Sequence, residues 1–200
     1  MNYLSVENIS KSFGDNILFE NLSFGINKDQ KIGFIAKNGT GKTTLLKIIA
    51  AEESADSGNI VFRKGLKIGY LSQKENLNEQ LTVEQSIFDA DNDILHIIEQ
   101  YEKALKNPED QDSYQKAFEL MEQNNAWDFE TQYKQILFKL KLDDLDQLVS
   151  SLSGGQKKRL ELAIVLLDQP ELLILDEPTN HLDLEMIEWL EQYLKTQNTA

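Results

Sequence analysis

Two stretches near the start of the chain, "YLSVENISKSF" (3–13) and "ILFENLSFGI" (17–26), alternate apolar and polar residues at the period of a half-buried strand. The "GDN" between them is turn chemistry, so the pattern predicts an N-terminal β-hairpin. "KIGFIA" (31–36) is a short run of the kind that forms a buried strand, and further on Leu45, Leu46, Ile48 and Ile49 recur at helical spacing. "DSGN" (56–59) closes that segment with a turn, after which "IVF" and "KIGYLSQ" return to strand character. Towards the other end, "ELLILDEP" (171–178) is a continuous apolar run ending in two acids, the pattern of a central strand buried on both faces. "EMIEWLEQYL" then reads as an amphipathic helix. The order strand, loop, helix, strand predicts an α/β domain with a mainly parallel sheet and an antiparallel β part at its N-terminus.

Residues 84–130 differ in kind. Ile94, Ile97, Ile98, Tyr101 and Leu105 sit at helical spacing, as do Tyr114, Phe118 and Met121, with "KNPEDQD" between them as a turn. The pattern is that of an antiparallel helical hairpin. It holds 13 acids and 3 bases, and so carries most of the charge imbalance of a 200-residue chain whose net charge is −14. A solvated helical subdomain covering the core accounts for such a run on charge alone. Nothing in the bulk charge advertises nucleic acid or an anionic membrane as a partner. The absence of cysteine excludes disulfides and thiolate metal sites and fits a reducing compartment. No apolar run approaches membrane-spanning length and no leader is evident, so a soluble, cytoplasmic protein without membrane insertion is expected.

The stretch after "KIGFIA" carries the first chemistry. "AKNGTGKTT" (Ala36 to Thr44) nearly fits the Walker A pattern, in which backbone N–H groups around Gly39 and Gly41 cradle phosphates at a helix N-terminus. Lys42 would reach the β- and γ-phosphates and the Thr43 hydroxyl would sit on Mg²⁺; an ordinary turn before a helix is the plain alternative. Ala36 stands where the pattern has its first glycine, so that position must tolerate a Cβ.

A second constellation runs from Ser151 to Asp183. Ser153 and Gln156 satisfy a capping box and so start a helix. The same helix N-terminus, fronted by Gly154 and Gly155, is also able to aim bare N–H groups at a phosphate presented from outside. Asp176, at the end of the apolar strand, is placed to hold Mg²⁺ directly or through water, and Glu177 beside it to orient and deprotonate an attacking water.

With these motifs in one chain, the sequence resembles an ABC-type nucleotide-binding domain over its two flanking parts, about three quarters of its length. "AKNGTGKTT" matches Walker A, Gln73 in "YLSQ" the Q-loop, "LSGGQ" at Leu152 to Gln156 the signature, and "LLILDEP" Walker B. The resemblance implies an ABC-type P-loop ATPase core with an inserted helical arm. Residues 1–200 would be one incomplete cassette: an N-terminal β part and P-loop core (1–83), the arm (84–130), and the signature and Walker B part (131–200). It further implies ATP and Mg²⁺ as ligands, with Asn38, Gly39, Thr40, Gly41, Lys42, Thr43 and Thr44 around the phosphates. Phe13 in "SKSFG" would stack on adenine, although the residue alone reads as core. Thr43, Gln73 and Asp176 would serve Mg²⁺, Gln73 otherwise being a polar strand-end residue, and Glu177 would be the catalytic base.

Walker B continues into "TNHLD" (Thr179 to Asp183), a form that resembles the ABC-F proteins, soluble tandem ATPases that act on the ribosome. That family inserts its arm between Q-loop and signature, and here 79 residues separate Gln73 from Leu152. His181 would belong to the loop that addresses the opposite nucleotide site, or be a capping or surface residue, and His96 one face of the arm helix. The arm's acidity means that it faces protein, only grazes RNA, or leaves the basic contacts to sequence beyond Ala200. The implied site is composite: ATP on the Lys42 loop is closed over by Ser153 to Gln156 of a second cassette, in a longer chain or by homodimerisation. After the last helix the family pattern calls for another buried strand and a switch histidine, so this chain alone is expected to hydrolyse ATP weakly. An ATP-binding subunit of a membrane transporter and a module that binds nucleotide without hydrolysis are the competing readings.

Overall fold

The computed structural model describes residues 1–74, 76–90 and 92–200; Asp91, one of the acids counted in the arm, lies outside them. The chain forms two compact units. The first comprises Met1–Lys74, Gln169–Asn180 and Ile187–Ala200, the second Glu75–Asp168 and His181–Met186.

In the first unit the N-terminal alternation becomes β1 (Asn2–Phe13) and β2 (Asn16–Asn27), paired antiparallel around a turn at Gly14. Helix α1 (Lys42–Ile49) follows the glycine loop, and β3 (Ser57–Phe62) then joins the free edge of β1, giving the order β2-β1-β3. The "DSGN" segment is therefore mostly strand and not a turn. Its glycine marks a register shift in the β1–β3 ladder: Gly58 has φ +86°, and a Cβ there would lie 2.4 Å from the Asn8 carbonyl oxygen. Turn-forming residues serve irregular strands for the same reason they serve turns, because they accept left-handed backbone.

The parallel part consists of β4 (Ile68–Leu71) and β5 (Leu172–Leu175), in register from Ile68 opposite Leu172 to Leu71 opposite Leu175. β5 buries Leu172 and Ile174 on one face and half-buries Leu173 and Leu175 on the other, so it is less enclosed than its apolar run suggests. Leu4, Val6, Ile9 and Ile26 of the hairpin pack with Leu45, Ile48 and Ile49 of α1 and with Leu172 and Ile174 of β5. Each such side chain contributes about 1.5–3 kcal/mol on burial. This core fixes the helix that carries the glycine loop to the strand that carries Asp176.

The expected strand at 31–36 is not formed. Those residues join no ladder among the described strands, and Ile35 is 98% exposed. The physical reason lies on β5. Its outer edge is met by Ala200, whose N–H donates to Glu171 O and whose carbonyl accepts from Leu173 N–H, both at 2.9 Å. An apolar run becomes a strand only beside a strand that completes its hydrogen bonds, and "KIGFIA" has no such neighbour. Phe34 instead meets Phe24 edge-on, 5.7 Å between ring centroids.

The second unit is helical: α2 (Val83–Phe88), α3 (Asp93–Leu105), α4 (Gln111–Gln123), α5 (Ala126–Lys139) and α6 (Gly154–Leu167). The hairpin read from the sequence is α3 with α4, and α5 packs against both. Its turn is set by Asp110, whose carboxylate accepts from Ser113 N–H at 3.0 Å and Ser113 Oγ–H at 2.7 Å. Asn92 caps α3 through Ile94 and Leu95 N–H and donates to Leu167 O at 2.9 Å, fastening the hairpin to α6. His96 is exposed on α3. Among the described residues no helix is long and apolar enough to cross a membrane.

Candidate functional site

The glycine loop reaches its shape through two left-handed residues, Gly39 at φ +80° and Gly41 at φ +92°, the second being the N-cap of α1. At Gly41 a Cβ would lie 3.0 Å from the Cβ of Leu18, so both the backbone and the neighbouring strand require glycine. Ala36 is not among the left-handed residues, which explains how the loop accepts a Cβ at that departure from Walker A. Thr40 braces the loop by donating its hydroxyl to Lys37 O at 2.8 Å. The Lys42 ammonium folds back onto it, donating to Ala36 O at 2.8 Å and Asn38 Oδ1 at 3.2 Å. These are neutral acceptors. Phosphate oxygens offer the same ammonium acceptors of opposite charge.

A cavity of about 460 Å³ opens over this loop. Segments distant in the chain meet around it: Asn38, Gly39, Gly41, Lys42, Thr43 and Thr44 from the loop and α1, Phe13 from the end of β1, Gln73 after β4, and Glu177 after β5. Thr40 lies outside the lining. One wall residue was not anticipated from the sequence, Leu18 of β2. The hairpin register, with Phe13 opposite Asn16, is the signal that returns the chain to Phe13's neighbourhood.

Asp176 lines an adjoining cavity of about 420 Å³ together with Lys42 and Glu177. It is only 5% exposed, its N–H donates to Leu71 O at 3.0 Å, and its Oδ2 is buried with no hydrogen-bond partner. An orphaned buried carboxylate oxygen is costly unless something of opposite charge satisfies it. Among the described residues no cluster of three or more acids or histidines is able to hold a metal by itself. One carboxylate, the Thr43 hydroxyl and phosphate oxygens make a donor set suited to Mg²⁺, which keeps few protein ligands and takes the rest from substrate and water. The residues therefore fit the ion, and when bound it would neutralise charge on the phosphates. The Tyr70 hydroxyl is likewise buried without a partner. Burial, with the Asp176 and Glu52 carboxylates behind it, pushes its pKa up to about 12, so it stays a neutral phenol.

Glu177 is exposed at the cavity wall in a left-handed conformation, φ +53°. Asn180 holds it from both ends: Asn180 N–H donates to Glu177 O at 3.1 Å and Asn180 Nδ2 to Glu177 Oε2 at 2.8 Å. A non-glycine residue in this region is strained by about 1–3 kcal/mol, and such strain collects where a side chain must be aimed.

The signature residues belong to the second unit. Ser153 Oγ accepts from Gln156 N–H at 3.3 Å and Gln156 Oε1 from Ser153 N–H at 3.0 Å, closing the capping box at the start of α6, with Gly154 and Gly155 in its first turn. His181, also left-handed at φ +71°, lies beside them; a Cβ on Gly155 would be 3.6 Å from its own. Asp183, the last residue of "TNHLD", accepts from Met186 N–H at 3.0 Å and pairs with Lys141 at 2.6 Å, starting α7 (Leu184–Thr196). The Lys141 hydrogen bond, followed by that from Met186, holds its carboxyl below the usual range.

A family model described as ABC transporter matches residues 19–180. The ABC transporter ATP-binding protein YfmR of Bacillus subtilis is 44% identical over 201 residues, covering 97% of this chain and 32% of that protein. ABC transporter F family member 5 of Arabidopsis thaliana is 35% identical over 209 residues, covering 98% and 30%. The energy-dependent translational throttle protein EttA of Mycobacterium tuberculosis is 31% identical over 196 residues, covering 95% and 35%. The chain thus spans about a third of the length of these relatives. A solved ATP-binding subunit of an ABC transporter superposes with a TM-score of 0.70 at 22% identity, over 98% of this chain and 75% of that one, which establishes the fold. With the family model matching residues 19–180, most of its length, the chain belongs to the ABC transporter family of ATP-binding domains, and F-family members are among its relatives.

Proposed function

We propose that this cassette binds MgATP in the 460 Å³ cavity and hydrolyses it together with a second cassette, coupling closure and reopening to ribosome binding during translation. The observation that carries the nucleotide part is the convergence of Phe13, the Lys42 loop, Gln73 and Glu177 on one cavity from distant segments of the chain. Phe13 offers the base a stacking face, the loop N–H groups and Lys42 hold the triphosphate, and Thr43, Gln73 and Asp176 are the residues that would hold Mg²⁺, which would neutralise charge on the phosphates. Glu177 takes the proton of the attacking water. Ser153 to Gln156 of the second cassette close over the γ-phosphate with the bare N–H groups of a capped helix. Positioning and charge stabilisation then supply most of the acceleration, as in phosphoryl transfer generally.

A site completed in trans has a kinetic signature. Steady-state phosphate release by the 200-residue chain is expected to stay well below about 1 s⁻¹, a rate at the low end of ordinary enzymes, with a specific activity that rises with protein concentration. Turnover at that rate or faster, independent of concentration, would show that one copy is sufficient.

The ribosomal part is supported by the relatives named as an F-family member and as a translational throttle. The hairpin of α3 and α4, placed between Gln73 and the signature, is the arm of this reading, and a cytoplasmic location follows from it. Co-sedimentation with ribosomes is expected to increase when ATP is added and to fall when it is replaced by ADP. A second reading, the ATP-binding subunit of a membrane transporter, is favoured by the description of the family model and by the solved structure that superposes. No nucleotide-dependent ribosome association, with recovery of the protein alongside a membrane partner, would select that reading.

A further inference from the structure

Phe13 ends β1 beside the Gly14 turn and is 56% exposed, so by itself its ring is free to sample several rotamers. The structure shows what restrains it. Two residues earlier on the same strand, the Lys11 ammonium stands 5.5 Å from the centroid of the Phe13 ring, within cation–π range. Lys11 does not line the nucleotide cavity, whereas Phe13 does.

The ammonium is itself fixed. It donates to Ser54 O at 2.8 Å and pairs with Glu53 at 3.2 Å and Asp56 at 3.4 Å, with only 12% of its side chain exposed. Asp56 is anchored in turn, accepting from Ser12 N–H at 2.8 Å and Ser12 Oγ–H at 3.0 Å. The hydrogen bond to Glu53, then that to Asp56, keeps Lys11 protonated above the usual lysine range. The segment after α1 thus clamps a cation, and the cation steadies an exposed aromatic ring.

We infer that Lys11 is a positioning residue for nucleotide binding: it pre-organises the Phe13 ring as the platform for the base without touching the nucleotide. The inference rests on the reading of Phe13 as that platform. Fixing a side chain before the ligand arrives removes the ordering cost from binding. The benefit falls on ligands that carry a base and not on the phosphate chain alone.

The test compares ATP with inorganic tripolyphosphate by titration calorimetry on the 200-residue chain. Lys11→Met is expected to weaken ATP about threefold to tenfold while leaving tripolyphosphate affinity unchanged, and Lys11→Arg to restore ATP to within about twofold. Phe13→Ala is expected to lose ATP affinity at least as far, again sparing tripolyphosphate. If Lys11→Met fails to fold, Glu53→Gln loosens the tether while keeping the cation and should shift ATP alone in the same direction. Equal weakening of both ligands by Lys11→Met would assign Lys11 to the fold only and overturn the inference. So would an ATP affinity unchanged in Lys11→Met but lowered in Phe13→Ala. Silence of Phe13→Ala as well would remove the platform reading itself.

Discussion

Lys42→Ala is expected to lower MgATP affinity by about 100-fold while leaving the fold intact. In the structure the ammonium is held by Ala36 O and Asn38 Oδ1, at the mouth of the cavity and at the first position of α1. Neither bond is buried, so removing them costs the folded chain little, and alanine at a helix start is well tolerated. Bound phosphates see a different balance. They lose the one fixed cation among the residues lining the cavity, in a site whose other walls are backbone N–H groups, hydroxyls, amides, Phe13, Leu18 and the acid Glu177. A hydrogen bond to a charged group is worth about 1.5–3 kcal/mol, and the upper end corresponds to somewhat more than a factor of 100. Calorimetric titration with MgATP reads the loss directly, and an unshifted melting temperature establishes that the variant is folded. Unchanged affinity in a folded variant would remove the phosphates from this loop.

The parts of the site legible in the sequence are those where chemistry demands a particular residue at a fixed spacing. Gly41, Lys42 and Thr43 are consecutive because a cradle, a cation and a metal-facing hydroxyl must follow one another at a helix start. Ser153 and Gln156 are legible because a capping box is a purely local device. What escaped is set by partners distant in the chain. "KIGFIA" has the composition of a buried strand, yet strand formation depends on an edge to pair with, and the position beside β5 is met by Ala200. Gly58 reads as a turn because an irregular strand asks for the same left-handed freedom; only the approach of the Asn8 carbonyl distinguishes the two. Leu18 is one more alternating apolar residue until the hairpin brings it against Gly41. The end of "TNHLD" reads as a family mark, while in the fold Asp183 caps α7 and pairs with Lys141. Left-handed backbone at Glu177 leaves no sequence signature, since glutamate does not favour it.

Glu177→Gln is expected to bind MgATP with near-unaltered affinity and to release phosphate about 100-fold more slowly than the unsubstituted chain, or slower still. Glutamine has the shape of glutamate and keeps an oxygen able to accept from Asn180 Nδ2, so the strained turn that aims the side chain survives. What disappears is the capacity to accept a proton. Because Glu177 lines the cavity on the side of Lys42 and is itself exposed, its carboxylate is available to a water lying over the phosphates and is not committed to a buried ion pair. Removing the negative charge also relieves repulsion towards the triphosphate, so binding should not weaken. A cassette that binds and cannot turn over accumulates in its closed state, since the equilibrium follows the ligand that favours that state. On the proposed function the same variant should therefore co-sediment with ribosomes in ATP more completely than the parent. Single-turnover phosphate release, measured beside equilibrium ATP binding, separates the steps. Turnover close to that of the parent with binding intact would exclude Glu177 as the base and turn attention to a water held by Gln73.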